Sequence, residues 1–237
     1  MQKVQNLHDW VSELSDAVRD EVISSFVDRN LIAGEFLYRQ GDPAESCFQV
    51  TEGRIKVCNT NFAGQELVHT YLLKGDCVGD WSLLIDEPRM NYAVACGVSA
   101  VSVLRKSDFM HLYMKHAEIP RAISRVMARR LRLIFMLTED ASLLPLRERL
   151  ARAVIRTAHA LGEKGEDGSV TIENISHDEL AKMVGATRPS VGRELKKLER
   201  EGAIRIQYGK LIISNFAAFG AQYDHLLSVE PVTPDYD

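Results

Sequence analysis

Apolar positions repeat at different intervals along the chain. Over residues 1 to about 30 the interval is that of short helices. One helical face there carries Leu7, Trp10, Val11 and Leu14. Between about 31 and 107, apolar and polar residues alternate in short segments that are rich in β-branched and aromatic residues and separated by glycine-containing turns. Short, regularly spaced strands of this kind predict a β-barrel or a two-sheet jelly roll.

A long helix is predicted next. Residues 116–142 contain no glycine and one early proline, which indicates a helix of about seven turns. Four apolar residues approximate a heptad seam that Arg130 interrupts. They are Ile123, Met127, Ile134 and Leu137. Such a helix either packs on its own barrel or pairs with the same helix of a second copy. Its length exceeds that of a small barrel, so the pattern favours dimerisation.

Two short helices follow in the last third of the chain. Pro145 ends the long helix, because proline is tolerated in the first turn of a helix but not in its interior. Ser176 and Glu179 form a capping box that starts a helix ending near Gly185. A short turn then leads to a second helix at 188–200. Two capped helices joined by a short turn with glycine follow the helix-turn-helix plan.

Positive charge is concentrated in this pair of helices. The chain has 29 basic and 33 acidic residues, a formal net charge of −4, which excludes a uniformly basic nucleic-acid binder. Residues 181–210 nevertheless hold eight basic and three acidic residues, whereas residues 1–145 hold 16 and 19. An acidic barrel followed by a basic helix-turn-helix predicts a DNA-binding module.

The second helix indicates which residues contact DNA. Arg188 and Arg193 lie about 140° apart around it and reach one groove, where guanidinium groups match guanine. Hydroxyl groups at helix starts suit phosphates, and a hairpin over residues 203–214 brings Lys210 to the backbone as a wing. The alternative is a solvated helix face, with a lysine that only aids solubility. The DNA-binding candidates are Ser176, Thr187, Arg188, Pro189, Ser190, Arg193, Lys196 and Lys210.

The chain resembles the CRP/FNR family of bacterial transcription regulators. The DNA-reading segment of that family is similar to one stretch of this chain, ISHDELAKMVGATRPSVGRELKKLEREGAI. The family's cyclic-nucleotide-binding domain is similar to two earlier stretches, GEFLYRQGDPAESCFQVTEGRIKV and LLKGDCVGDWSLL. The resemblance implies an α+β fold. We expect an N-terminal jelly-roll sensor domain at 1–115, a dimerisation helix with a hinge at 116–144, a winged helix-turn-helix domain at 145–227 and a mobile tail at 228–237. Many relatives carry a base-contacting Glu where Pro189 stands, so some departure from their half-site is expected.

The resemblance also implies an effector pocket. Family members that bind cyclic AMP hold its ribose and phosphate with a glycine, an acid and, further along, an Arg-Ser pair. Gly79 and Asp80 match the first two, but the Arg-Ser position is expected at Asn91-Tyr92, with Arg89 displaced. A buried phosphate without its arginine would lose about 2–5 kcal/mol.

A second wall of that pocket also differs. The adenine-contacting Thr-Ser pair aligns with Ile134-Phe135, whose side chains offer no hydrogen bonds. We therefore expect an effector other than cyclic AMP. Two alternatives stay open: a regulator that needs no effector and, less favoured, one that responds to a cyclic nucleotide. Neither an iron–sulfur cluster nor haem is expected, since residues 1–46 contain no cysteine and no His or Cys ligand pair is evident.

The residues do not support other functional classes. A cupin enzyme would need clustered histidines, and no H-x-H, Ser/His/Asp, Walker or Rossmann motif appears, so no catalysis, metal or resident cofactor is expected. A kinase-type regulatory module would leave the basic helices unexplained. The four cysteines form no C-x-x-C pair and are expected as free thiols. The expectation is a cytoplasmic homodimer that binds near-palindromic double-stranded DNA, stays off membranes and has RNA polymerase as a candidate partner.

Overall fold

The computed structural model describes residues 7–224 and 226. They form two compact units, of which the first ends at Leu131 and the second begins at Arg132. The division falls within one long helix, α4 (Glu118–Leu143), close to the predicted 116–142. Each unit has its own apolar core, so each is taken separately. The predicted mobile tail at 228–237 lies outside the described residues.

Two four-stranded antiparallel sheets form the centre of the first unit. Its strands are β1 (Val27–Leu31), β2 (Phe36–Tyr38), β3 (Ser46–Glu52), β4 (Ile55–Thr60), β5 (Glu66–Leu72), β6 (Cys77–Val78), β7 (Tyr92–Ala95) and β8 (Ser99–Arg105). One sheet has the order β1-β8-β3-β6 and the other β2-β7-β4-β5. The two-sheet jelly-roll prediction is confirmed.

Alternating side chains of both sheets build a common core. Ile55 and Ala93 come from one sheet and Val101 from the other, and all three are fully buried. Burial of a large aliphatic side chain contributes about 1.5–3 kcal/mol, so the strand periodicity is itself a source of stability. β1 begins at Val27, earlier than the alternating pattern predicts. Its polar residues 28–30 pair with β8 although only Leu31 is buried.

Helices at the edges of the sheets form a second core in this unit. They are a 3-10 turn (Val11–Glu13), α1 (Asp16–Ser24), α2 (Asp80–Ile85), α3 (Lys106–Lys115) and the start of α4. The Trp10 ring meets the Phe109 ring edge-on, with 6.1 Å between centroids, and both belong to this core. The short N-terminal helices are confirmed. The sequence pattern does not indicate α2 or α3, because α3 follows β8 without an intervening turn residue.

The second unit is a winged helix-turn-helix. After the end of α4 it contains α5 (Leu146–Leu161), β9 (Glu163–Lys164), β10 (Val170–Glu173), α6 (His177–Val184), α7 (Arg188–Arg200), β11 (Ile204–Gln207), β12 (Lys210–Ile213) and α8 (Phe216–Tyr223). The strands form an antiparallel sheet in the order β11-β12-β10-β9. Leu150, Leu180 and Leu195 of α5, α6 and α7 meet in one core with Ile172 and Ile213 of the sheet. The sequence predicts α6, α7 and the hairpin, but not α8.

Candidate nucleic-acid interface and effector site

Side-chain caps fix the start of α6. The Ser176 hydroxyl accepts a hydrogen bond from the Glu179 backbone N–H at 3.1 Å, and the Glu179 carboxylate accepts one from the Ser176 N–H at 2.8 Å. This confirms the predicted capping box. Gly185 ends the helix with a φ of 62°, a conformation that side chains with a Cβ rarely adopt. The turn between the two helices is therefore set by local sequence.

The helix α7 buries one face and exposes the other. Val191, Leu195 and Leu198 point into the core of the second unit. Pro189 stands in the first turn, where its missing N–H costs no hydrogen bond. The solvent-facing side carries Arg188, Arg193 and Lys196, which are all exposed. The helix thus presents a basic surface that the core does not use.

A short hydrogen-bond chain orients one of these arginines. Thr187 caps α7 by accepting from the Ser190 N–H at 3.4 Å, and its hydroxyl donates to the Ser190 hydroxyl at 2.9 Å. The Arg193 guanidinium in turn donates to the Ser190 Oγ at 2.9 Å. Three of the predicted DNA-binding side chains therefore lie together at the N-terminal half of α7. The hydroxyl of Ser176 is engaged in its own capping box.

The wing places Lys210 differently from its expected position. The tip of the hairpin is Tyr208-Gly209, and the Tyr208 side chain is fully exposed. Lys210 is the first residue of β12, opposite Glu173 of β10, and its ammonium group forms an ion pair with that carboxylate. The Glu173 hydrogen bond holds the pKa of Lys210 above its usual value. The lysine is charged, but an acid already faces it.

Several residues predicted to line an effector pocket lie around Arg89 in the first unit. Its guanidinium donates to the Gly79 carbonyl oxygen at 2.7 Å and also to the Ser46 carbonyl oxygen, and the side chain is only 3% exposed. A Cβ at Gly79 would lie 2.6 Å from Nη1, so glycine is required for this approach. The predicted displacement of Arg89 is wrong: the arginine lies directly against Gly79. Counting residues along the loop does not reveal how α2 folds back.

Aromatic and amide groups complete the surroundings of Arg89. Its Cζ lies 4.6 Å from the centre of the Tyr38 ring and 5.9 Å from that of Phe48. The Tyr38 hydroxyl donates to the buried Asn91 side chain at 3.1 Å. Burial lowers the pKa of Arg89 and raises that of Tyr38. Tyr92 is not part of this cluster, because it follows Asn91 on the outer face of β7 and contacts Phe36.

An ion pair connects the pocket to α4 within the first unit. Asp80 is completely buried, and the Arg130 guanidinium approaches its carboxylate at 3.3 Å. Arg130 also donates to the Leu7 carbonyl oxygen at 2.7 Å. In the sequence pattern Arg130 stands out only because it interrupts an apolar seam, and this interruption is the signal that could indicate its ion pair with Asp80. Tyr38 and Ser46 carry no such signal.

The predicted dimer seam divides into two parts. Ile123 is 2% exposed in the core of the first unit, so its assignment to a dimer seam is wrong. Met127 packs against the same core but is only partly buried, and its place in a seam stays a prediction. Ile134 is 52% exposed, whereas Leu137 is partly buried. Beside Ile134, Leu131 and Phe135 are 53% and 61% exposed. The solvent-facing apolar run in the middle of α4 therefore consists of Leu131, Ile134 and Phe135, and Leu143 is exposed at the last residue of the helix.

Metal sites, membrane-spanning helices and reactive thiols are the other features to consider among the described residues. Across residues 7–224 and 226, no group of three or more His, Cys, Asp and Glu side chains is placed to hold a metal ion. Within the same residues, no helix combines the length and apolar character needed to cross a membrane. All four cysteines are free thiols, as predicted. Burial raises the pKa of Cys47 and Cys77 well above that of an exposed thiol.

Two family models match successive parts of the chain. Residues 28–116 match the cyclic nucleotide-binding domain and residues 148–221 match the Crp-like helix-turn-helix domain. The Cyclic AMP receptor protein of Thermus thermophilus is 27% identical over 198 residues, which cover 84% of this chain and 88% of that protein. The cAMP-activated global transcriptional regulator CRP of Salmonella typhimurium is 28% identical over 178 residues, covering 75% and 84%.

Solved structures share the same architecture. The c-di-GMP-responsive global regulator CLP of Xanthomonas campestris aligns with a TM-score of 0.74 at 20% identity, covering 84% of this chain and 99% of that chain. FixK2 of Bradyrhizobium japonicum aligns with a TM-score of 0.73 at 18% identity, covering 86% and 99%. Likeness at these identities shows the fold. Both domain models and the curated relatives identify the chain as a CRP/FNR-type transcription regulator with a helix-turn-helix DNA-binding domain.

Proposed function

We propose that this regulator is a homodimer that binds a near-palindromic DNA operator, with α7 of each protomer in the major groove. The observation that carries the proposal is the exposed basic side of α7, where Arg188, Arg193 and Lys196 stand opposite a fully buried apolar face. In a two-fold dimer, two such helices reach half-sites about 34 Å apart. RNA polymerase is a partner suggested by the family alone.

Each DNA-facing residue has a proposed task. Arg188 and Arg193 contact bases, since a guanidinium donates two parallel hydrogen bonds to guanine O6 and N7. Ser176, Thr187 and Ser190 lie at helix starts, where hydroxyl and N–H groups suit phosphate oxygens. Pro189 offers no hydrogen bond from its ring, so we expect one base position of the half-site to be read less strictly. Lys196 and Lys210 add attraction to the backbone.

The second copy of the chain is the proposed occupant of the exposed run on α4. Leu131, Ile134 and Phe135 expose more than half of their surface. Burying each of them would contribute up to about 1.5–3 kcal/mol. The Arg130 side chain turns away from this run to Asp80 and Leu7 of its own unit. The side chains of the run itself are all apolar, as a helix–helix interface requires.

We further propose that the effector is a small molecule other than cyclic AMP. Two curated relatives are named for cyclic AMP, and a structural neighbour for c-di-GMP, so family membership does not select one ligand. The Arg89 guanidinium already donates to two carbonyl oxygens. Its Nε is buried without an acceptor among the described residues. An effector with an acceptor group fits this donor. By the family resemblance alone, Ile134 and Phe135 take the place of the adenine-contacting pair, and their side chains offer no hydrogen bond to a base.

Selection from random DNA tests the main proposal. Purified full-length protein is incubated with a random-sequence library, bound DNA is amplified and sequenced, and the mass of the recovered complex is measured. The proposal expects a two-fold-symmetric motif bound by two copies of the chain. Absence of an enriched motif, or an asymmetric motif bound by one copy, contradicts it.

A further inference from the structure

A buried carboxylate lies close to the end of α4. Asp140 is 3% exposed and faces two arginines of α5. The Arg152 Nε lies 2.7 Å from one carboxylate oxygen, and Arg156 donates to the other at 2.9 Å. The Asp140–Arg152 contact lacks a hydrogen-bonding angle, so charge rather than direction holds it. The carboxylate thus connects α4 and α5 within the second unit.

One of these arginines extends the connection to a third helix. Arg152 is as buried as Asp140, and its Nη1 donates to the carbonyl oxygens of Tyr223 and Asp224 at 2.9 and 2.8 Å. These carbonyls belong to the C-terminal end of α8, where a helix attracts cations. The group of Asp140, Arg152 and Arg156, here called the Asp140 cluster, therefore joins α4, α5 and α8.

The geometry of the Asp140 cluster depends on one negative charge, the carboxylate of Asp140. Two guanidinium groups share a single carboxylate, and Arg156 Nη1 is buried without a hydrogen-bond partner among the described residues. Desolvation lowers the pKa of Arg156, and Asp140 opposes that effect. A buried ion pair adds little to the net free energy of folding, but removing one partner leaves the other charge buried and uncompensated, which destabilises the fold. The pair therefore favours one arrangement of the two side chains. The cluster is suited to fix an orientation.

We propose that Asp140 is a positioning residue for DNA reading, because it fixes the direction of α5 relative to the end of α4. The α5 residues Leu150 and Val154 share the core of α6 and α7, so the whole helix-turn-helix follows α5. This inference rests on the proposed function: if α4 pairs with a second copy, the angle between α4 and α5 sets the separation of the two α7 helices.

A distance measurement that needs no DNA tests the orientation directly. Spin labels are attached at Thr138→Cys on α4 and Lys197→Cys on α7, two exposed positions, in a chain carrying Cys96→Ser. Labelled protein is mixed with an excess of unlabelled protein, so that pulsed electron–electron double resonance reports distances between the two labels of one chain. We expect one narrow distribution, and a distribution at least about twice as wide in Asp140→Asn, since the carboxylate charge is lost.

Controls separate this effect from a general loss of fold. Glu139→Gln makes the same chemical change at the adjacent, exposed position and is expected to leave the distribution unchanged. Circular dichroism shows whether Asp140→Asn is folded. If it is not, Arg156→Gln removes one of the two partners and is expected to widen the distribution to a smaller extent. An unchanged distribution in a folded variant overturns the proposal.

DNA spacing gives the functional readout. Palindromes whose half-sites are moved apart or together by one or two base pairs are titrated with each protein. The wild type is expected to prefer one spacing by about tenfold, and Asp140→Asn to lose most of that preference while binding a single half-site as the wild type does. A retained preference overturns the role of Asp140. If the wild type binds no DNA, the proposed function fails, and the label distances still test the orientation.

Discussion

The guanidinium of Arg89 donates a hydrogen bond of 2.7 Å to the carbonyl oxygen of Gly79. The same group lies over the Tyr38 ring and also bonds to Ser46. Its charge is thus stabilised by groups of the protein itself. An anionic ligand at this point must compete with these carbonyl oxygens, so binding exchanges hydrogen bonds instead of simply adding them.

Removal of Arg89 should destabilise the first unit. In Arg89→Met the Gly79 and Ser46 carbonyl oxygens lose a charged donor, and we expect the free energy of unfolding to fall by about 2–4 kcal/mol. Arg39→Met is the matched control, since Arg39 lies over the Phe36 ring at 4.1 Å but is exposed. It should cost about 1 kcal/mol or less. Urea unfolding measures both, and equal effects would show that the Arg89 contacts carry little energy.

A charge in the exposed run of α4 should separate the protomers. Ile134→Lys places an ammonium group between Leu131 and Phe135, and desolvating it costs several kcal/mol in an apolar interface. We expect sedimentation velocity to show a dimer for the wild type and a monomer for the variant at micromolar concentration. Glu139→Lys, at an exposed site of the same helix beside the run, should stay dimeric. A wild-type monomer would refute this interface.

Cyclic AMP should neither bind tightly nor promote DNA binding. Ile134 and Phe135 offer no hydrogen bond to a base, and micromolar affinity requires about 8 kcal/mol in total. Calorimetry with cyclic AMP and cyclic GMP should therefore give no micromolar binding, and operator affinity should not change. The double variant Ile134→Thr with Phe135→Ser introduces hydroxyl groups at both positions and should bind cyclic AMP more tightly than the wild type.

One combination of results would contradict the prediction for cyclic AMP. Micromolar binding of cyclic AMP by the wild type, together with an operator affinity raised about tenfold, corresponds to a coupling of about 1.4 kcal/mol. That outcome would make the protein a cyclic-nucleotide-responsive regulator.

The ion pair on the wing should weaken the contribution of Lys210 to DNA binding. Lys210→Ala should lower affinity for all sequences alike and flatten the slope of log affinity against log salt by at most about one. Glu173→Gln removes the facing carboxylate and should raise affinity and steepen the slope. Fluorescence anisotropy at several salt concentrations measures both. A stronger sequence preference in either variant would contradict a pure backbone role.

Helix ends that are marked by capping residues could be predicted from the sequence to within a residue or two. Ser176, Glu179 and Gly185 mark both ends of α6, and Thr187 with Pro189 marks the start of α7, because caps act through neighbouring backbone groups. No comparable signal precedes α3. Before α8 the signal is a single residue, Asn215, whose side chain accepts a hydrogen bond from the Ala218 N–H at 3.0 Å. The helical state of α3 and α8 depends on burial of Phe109 and Phe219 in cores that only the folded chain assembles.

Residue contacts in the effector site could not be derived in the same way. The position of Arg89 depends on how the chain enters and leaves α2, where Gly79 before the helix has a φ of 87° and Asp86 after it one of 55°. Spacing along the sequence carries no information on that path. Ile123 fits a heptad seam as well as a core, since both need the same periodicity, and only the presence of the helices beside α4 decides for the core.

Base readout by Arg193 is the central claim, and selection on random DNA with wild type and Arg193→Ala tests it most directly. The account predicts that the wild type enriches a near-palindrome, and that Arg193→Ala loses preference at one base pair of each half-site at a cost of about 1–3 kcal/mol. Lys196→Ala, also an exposed cation on α7, should weaken binding without changing the motif. An unchanged motif in Arg193→Ala would contradict the account.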